Sequence, residues 1–292
     1  MNPPFLCIPP LLLTAFLLLP ARAIEPQHPK YDYATFTVEH LMACGNDTPG
    51  FGAEKKFQAW WMFVSFPGLA VFGRDIYLAA EVDGMDRVWS YQGERLNRTP
   101  ATRIGLFSGV SIFKRDKHRG TFFVGTGVAS DFVSLHRDAA YVHLIYDHRF
   151  TISDRLSAGL GLLVMHNFDR WQRDPPVNLL PSLRWDISRT TFLRIAWDNL
   201  TIRQYVHGRV ALVGELRYDF SFFRLDHNTT VEFETVAAGG GVDIWIAGDL
   251  YVRARYKELV YKNELVERDL DVLVDDTGMR GRAVKVLLVY AR

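Results

Sequence analysis

Residues 209–223, RVALVGELRYDFSFF, alternate between apolar and polar side chains. One face carries Val210, Leu212, Leu216, Tyr218, Phe220 and Phe222, and the other carries Glu215, Arg217, Asp219 and Ser221. A period of two indicates a β-strand whose two faces meet different surroundings. A membrane-crossing strand needs about 9–11 residues, whereas soluble strands average about 5–6. The length and the alternation therefore predict a strand of a transmembrane β-barrel.

The N-terminal residues have the composition of an export signal. Residues 11–19 are apolar, and residues 21–23 form an A-x-A cleavage motif. This predicts a signal peptide at residues 1–23 and a single barrel domain at residues 24–292. The apolar stretch is too short, and too interrupted by Pro9 and Pro10, for a good membrane-spanning helix. An uncleaved N-terminal anchor is the alternative.

The charge balance argues against one class of partner. The chain has 34 basic and 33 acidic residues, and loss of residues 1–23 removes Arg22 alone, which leaves 33 of each. Nucleic-acid-binding proteins usually carry a basic patch or stripe, so no nucleic-acid partner is expected. Cys7 leaves with the signal peptide, so Cys44 is alone in the mature chain and a disulfide-stapled scaffold is excluded.

Strand-like runs follow one another along the whole chain. They span residues 34–42, 57–66, 70–81, 87–91, 103–113, 121–132, 140–150, 156–166, 178–187, 191–198, 209–223, 230–237, 242–246, 250–261 and 283–290. Some runs are expected to merge, and bacterial single-chain barrels have even strand numbers, so we predict an all-β antiparallel transmembrane barrel of about 12 strands. A soluble β-sandwich with solvated polar faces is the alternative.

The polar faces of these strands carry both signs of charge. Buried charges are stable only when they are paired, so a balanced interior predicts a narrow, filled barrel rather than a wide pore of one sign. The side chains predicted to face the lumen are Glu215, Arg217, Asp219, Glu232, Glu234, Arg253 and Arg255. The side chains predicted to face lipid are Leu212, Leu216, Phe220, Leu250 and Val252.

The C-terminal half carries a family resemblance. Residues 283–292, AVKVLLVYAR, are similar to the closing strand that outer-membrane barrels present to their assembly machinery, with Tyr290 third from the end and Arg292 in place of the usual terminal aromatic residue. Residues 178–189, NLLPSLRWDISR, resemble uncharacterised bacterial outer-membrane barrel domains. The resemblance implies a location in the outer membrane, with its lipids and the barrel-assembly machinery as partners. It implies no activity.

The sequence contains no strong catalytic or metal-binding motif. Residues 105–109, GLFSG, place the serine one position too late for a nucleophile elbow, and no Walker loop, H-E-x-x-H or C-x-x-C is present. We therefore predict a non-enzymatic barrel without cofactor or metal, which is structural or binds or passes small solutes. A lipid-modifying hydrolase using His166 and a secreted β-sandwich binding protein are the alternatives. The sequence leaves the oligomeric state open.

Overall fold

The computed structural model describes residues 32–44, 51–53, 56–72, 74–97, 99–133, 137–167, 177–196, 198–225, 228–247, 250–268, 271–277 and 280–291. The predicted signal peptide and Arg292 lie outside these ranges. Within them, no helix is both long enough and apolar enough to cross a membrane.

The described residues form β-strands and one single-turn 3-10 helix, Arg137–Ala139. The strands are β1 (Asp32–Cys44), β2 (Phe51–Ala53), β3 (Lys56–Val71), β4 (Arg74–Asp86), β5 (Trp89–Tyr91), β6 (Glu94–Arg95), β7 (Ala101–Arg115), β8 (His118–Ser130), β9 (Ala140–Ser153), β10 (Leu156–Asn167), β11 (Val177–Trp185), β12 (Thr191–Ile195), β13 (Asn199–His207), β14 (Val210–Arg224), β15 (Thr229–Ala247), β16 (Leu250–Arg268), β17 (Asp271–Thr277) and β18 (Arg280–Ala291).

Of the strands in the described part of the chain, fourteen close into one antiparallel barrel. The ring runs β1, β3, β4, β7 to β16 in chain order, and then β18, which pairs with β1. β17 pairs with the far end of β16, and β2, β5 and β6 form a small separate sheet. The prediction of an all-β antiparallel barrel is confirmed, a sandwich is not formed, and the strand number is corrected from about 12 to 14.

Two stretches account for much of the difference between the predicted and observed strands. Residues 199–207 alternate weakly and were not among the predicted runs, but they form β13. Residues 239–241, three glycines, separate two predicted runs, but they lie inside the continuous strand β15. A Cβ atom at Gly239 or Gly241 would collide with the backbone of β16, so these glycines permit the close approach of the two strands.

The two ends of the barrel differ. One end, the turn rim, holds Asp32 and Ala291, which pair with each other, and short turns such as residues 154–155. The other end, the loop rim, holds β2, β5, β6 and β17 and the longer connections. Alternating short turns and long loops are typical of the two rims of outer-membrane barrels.

The outer surface of the barrel is apolar. Large exposed side chains recur at alternate positions on most strands of the ring. This outer apolar belt contains Phe36, Val38, Met62, Leu78, Ile104, Leu106, Val124, Leu144, Leu160, Leu162, Leu179, Leu200, Leu216, Ile244, Val284, Val286 and Leu288. A continuous exposed apolar surface of this kind marks contact with a membrane or a partner.

A hydrophobic core fills the barrel at the loop rim. The upper part of β14 reaches across the ring, where Arg224 pairs in parallel with Ser130 of β8, although β9 to β13 lie between these strands. The core contains Met85, Trp89, Leu96, Ala101, Ala129, Tyr141, Phe223, Leu225, Val231, Phe233 and Val266. Trp89 Nε1 donates to Glu264 at 2.7 Å, and Arg87 pairs with Glu264 at 2.8 Å, so the buried charges of this core are matched.

Candidate functional site: the interior cavity

A cavity of about 910 Å³ lies inside the barrel, next to the core at the loop rim. Its lining comes from β1, β3, β4, β7, β9, β10, β11, β14, β15, β16 and β18, and from the turn between β12 and β13. This volume lies within the range of about 300–1,000 Å³ that is typical of small-molecule sites. The cavity is therefore the candidate functional site.

On the side of the turn rim, the interior is filled by linked ion pairs. We call this set the ion-pair chain; it contains Glu39, Glu215, Asp219 and Asp243 with Arg203, Arg217, Arg253, Arg255, Lys257 and Lys285. At one end, Asp243 contacts Arg203 at 2.8 Å, Arg253 at 3.2 Å and Arg255 at 2.5 Å. Glu215 lies within 3.6 Å of Arg255 and 3.7 Å of Lys257, and so continues the chain.

The other end of the ion-pair chain crosses the interior. Glu39 on β1 contacts Lys257 at 2.8 Å and Arg217 at 3.2 Å. Three strands, β15, β16 and β18, separate Arg217 from Glu39 in the ring, so their contact joins distant parts of the wall. The guanidinium of Arg217 and the ammonium of Lys285 each lie 5.1 Å from the ring centre of Trp61, at cation–π distance. These contacts narrow the lumen.

A second polar cluster lies on β4, β7 and β9. Arg103 Nε contacts Asp83 at 2.9 Å and Glu81 at 3.4 Å, and the Tyr141 hydroxyl donates to Glu81 at 3.1 Å. The His143 ring packs against Tyr141 with the ring centres 4.8 Å apart. Together with the ion-pair chain, this cluster has seven basic and six acidic side chains, and Asp198 and Glu234 add two further carboxylates to the cavity lining.

The rest of the cavity lining is apolar and aromatic. It includes Trp60, Phe63, Phe107, Leu163, Met165, Leu180, Phe220 and Phe222. The cavity thus presents charged groups together with aromatic rings and aliphatic chains. Such a surface suits a small molecule that has both a polar and an apolar part.

Five of the predicted lumen residues belong to the ion-pair chain, and four of these are largely withdrawn from solvent. They are Glu215, Arg217, Arg253 and Arg255, with side chains at most 15 % exposed. Asp219 pairs with Arg217 at 2.6 Å but is 37 % exposed. Of the predicted lipid-facing residues, Leu216 is exposed, whereas Leu212, Leu250 and Val252 are half-buried. Their contact with lipid stays a prediction.

The positions of Glu232, Glu234 and Phe220 differ from expectation. The register pairs Phe220 with Glu234 and Phe222 with Glu232. Directly paired residues share a face of the sheet, so both glutamates lie on the face opposite to Arg217 and Asp219. Phe220 and Glu234 nevertheless line the cavity, and the Tyr218 hydroxyl donates to Glu234 at 3.0 Å. Alternation assigns faces within one strand but not the register between strands.

Several interior residues were not among the sequence predictions. They are Glu39, Glu81, Asp83, Arg103, Asp198, Arg203, Asp243, Lys257 and Lys285. Lys285 could have been found, because it interrupts the apolar run 283–290 at an alternate position. Glu39 gave no such signal, since its partners Arg217, Lys257 and Lys285 are distant in sequence.

The described residues contain no group of three or more His, Cys, Asp or Glu side chains arranged to hold a metal ion. His166, the residue of the hydrolase alternative, is exposed near the loop-rim end of β10, where it pairs with Val142. It does not line the cavity.

No family model matches the chain, and no curated protein matches it. Among solved structures, the chain is similar to the KdgM porin, with a TM-score of 0.37 and 9 % identity over 88 % of this chain and 99 % of that one. It is similar to the Pseudomonas putida toluene transporter TodX, with a TM-score of 0.44 and 9 % identity over 90 % and 92 %. It is also similar to the translocator domain of the Neisseria meningitidis autotransporter NalP, with a TM-score of 0.36 and 11 % identity over 91 % of this chain and 90 % of that one. These are likenesses of overall architecture between chains with little common sequence.

Proposed function

We propose that this chain is an outer-membrane β-barrel protein that binds a small solute in its interior cavity and has a narrow rather than a wide lumen. The observation that carries the proposal is the cavity itself, which has a ligand-sized volume and a lining that contains both charged and aromatic side chains. The location is supported by the outer apolar belt and by the export signal of residues 1–23. Membrane lipids and the barrel-assembly machinery are then its partners.

The bridge between Arg217 and Glu39 supports a narrow lumen. It joins β14 to β1 across the interior at 3.2 Å, and Lys257 and Lys285 hold the same carboxylate. A solute that passes along the barrel axis must move beside these side chains, and the hydrophobic core fills the loop rim beyond them. Retention or slow passage of a bound solute fits this arrangement better than free diffusion of ions.

The test combines planar-bilayer recording with binding measurements in lipid nanodiscs. We expect the protein to conduct little, the variant Arg217→Ala with Glu39→Ala to conduct more, and a panel of small amphipathic aromatic probes to quench the fluorescence of Trp60 and Trp61. The matched control is Glu258→Ala with Arg282→Ala, which removes an exposed pair at 3.9 Å and should leave conductance unchanged. A large conductance in the unaltered protein, or a panel without any bound probe, would refute the proposal.

A further inference from the structure

Among the described residues, no strand completes the barrel wall above the hairpin of β12 and β13. β12 has only five residues and pairs with β11 at three positions, residues 183–185. In the described part of the chain, residues 177–182 of β11 pair with β10 alone, and residues 219–223 of β14 pair with β15 alone. At about 3.3 Å per residue, the unpaired edge of β11 is about 20 Å long.

Pro181 supports this reading of β11 as an edge. It lies in the middle of the strand, where it pairs with Leu160 of β10. Proline has no N–H to donate to a second neighbour and is found in sheets almost only at edges or bulges. The sequence therefore anticipates the absence of a partner strand on the β12 side of this position.

Both unpaired edges border the cavity. Asn178, Leu180 and Pro181 line it from β11, and Tyr218 to Phe222 line it from β14. Ala196 and Asp198, in the turn between β12 and β13, line it between these edges. The gap between β11 and β14 therefore lies beside the cavity.

The outer surface beside the gap is apolar. Val177 and Leu179 on β11 are 51 % and 66 % exposed, and the neighbouring Leu160 and Leu162 belong to the outer apolar belt. The gap therefore lies beside apolar outer surface that can contact the hydrocarbon core of a membrane. Because unpaired backbone groups are costly in hydrocarbon, these edges require polar partners from the cavity or from a ligand within it.

The charge of the cavity favours one class of ligand. Its lining holds six carboxylates, and four of them, Glu39, Glu81, Asp83 and Asp219, are paired with arginine or lysine side chains. Asp198 and Glu234 accept hydrogen bonds from Asn199 and Tyr218, and among the described residues neither forms an ion pair. The rings of Phe220 and Phe222 lie on the same strand face as Tyr218. Carboxylates and aromatic faces together attract organic cations.

We propose that the cavity takes an amphipathic cation, such as an aromatic or alkyl ammonium compound, through the gap between β11 and β14. The ammonium group lies near Glu234 and Asp198, and the apolar part lies against Phe220, Phe222 and Leu180. This inference rests on the proposed function and names its ligand class and its route.

The charge preference is tested in nanodiscs with a phenylalkyl trimethylammonium probe and its neutral tert-butyl isostere. We expect Glu234→Gln, which keeps an oxygen to accept from Tyr218, to weaken binding of the cation about tenfold, or about 1.4 kcal/mol, and to leave the neutral isostere unchanged. Glu232→Gln is the matched control, because Glu232 lies on the same face two residues away but does not line the cavity. Equal loss in both variants would overturn the charge assignment.

The route is tested with the same probe at the edge of β11. Asn178→Trp places a large ring in the gap, and we expect slower and weaker probe binding. Val177→Trp is the matched control, since this side chain is exposed on the outer face and does not line the cavity. Unchanged binding kinetics in Asn178→Trp would overturn the lateral route. If neither probe binds the unaltered protein, the proposed function fails as well; binding without sensitivity to charge or to residue 178 refutes only this inference.

Discussion

Replacing Asp243 by asparagine should destabilise the barrel more than the loss of any other carboxylate in the ion-pair chain. Its side chain has no exposed surface and contacts three guanidinium groups, those of Arg203, Arg253 and Arg255. The side chain of Arg255 is 1 % exposed, and that of Arg203 is 8 % exposed. Asparagine keeps the shape of the side chain but removes the only charge that all three share.

The magnitude follows from this burial. Removal of one partner from a buried ion pair costs about 3–5 kcal/mol, because an uncompensated charge stays behind. The ion-pair chain already holds six basic and four acidic side chains, so the loss of Asp243 raises its positive excess from two to three. Asp219→Asn is the control, since Asp219 is 37 % exposed and contacts Arg217 alone within the chain. An exposed pair is worth about 0–1 kcal/mol.

The assay is urea unfolding of the purified barrel in lipid bilayers, followed by tryptophan fluorescence. Trp245 is buried in a second apolar cluster, which also contains Tyr205, Tyr251 and Leu287. Its ring stacks on Tyr251 with centres 4.8 Å apart, so it reports on the region around Asp243. We expect Asp243→Asn to lower the free energy of unfolding by at least about 2 kcal/mol more than Asp219→Asn. Equal effects of the two substitutions would show that water reaches Asp243 and would refute the buried network.

Two further predictions concern the outer face and the strand contacts. Leu216→Arg should lower the free energy of unfolding in bilayers by about 2–4 kcal/mol, because Leu216 belongs to the outer apolar belt. Leu216→Ala is the control for lost volume, and equal costs for the two variants would argue against lipid at this position. Gly241→Ala should destabilise the barrel by about 1–3 kcal/mol and lower the yield of folded protein in a heat-shift electrophoresis assay, because the new Cβ meets the Ala254 carbonyl. In the control Gly214→Ala, the new Cβ meets only the Ile202 methyl, so this variant should fold normally in the same assay.

Some of the architecture is encoded within single strands. The alternation in residues 209–223 places Glu215 and Arg217 on one face, and β14 occupies nearly the same residues, Val210–Arg224. The run 283–290 likewise corresponds to β18, with Val284, Val286 and Leu288 exposed on its outer face. Local periodicity suffices here because each prediction concerns neighbours along one chain segment.

The candidate site depends on contacts that no local pattern contains. Arg217 and Glu39 are 178 residues apart, and the pairing of Glu234 with Phe220 is a matter of register between strands. A strand pattern gives two faces but does not state which strand lies opposite, or where the ring departs from a regular cylinder. The orientation of Glu234 and the lining of the cavity therefore depend on the strand pairing, which local periodicity does not determine.

The cavity, the gap beside it and the core at the loop rim have one cause, the inequality of strand lengths. β14, β15 and β16 have 15, 19 and 19 residues, whereas β12 and β13 have five and nine. Beyond Arg217, the last residue of β14 that pairs with β13, β14 has no strand on that side among the described residues until Arg224 meets Ser130 of β8. That contact carries Phe223 into the core, while on the other side, in the part of the chain that the structure describes, residues 177–182 of β11 and 219–223 of β14 have no strand between them. The short hairpin of β12 and β13 thus accounts both for the core that fills the loop rim and for the gap between β11 and β14.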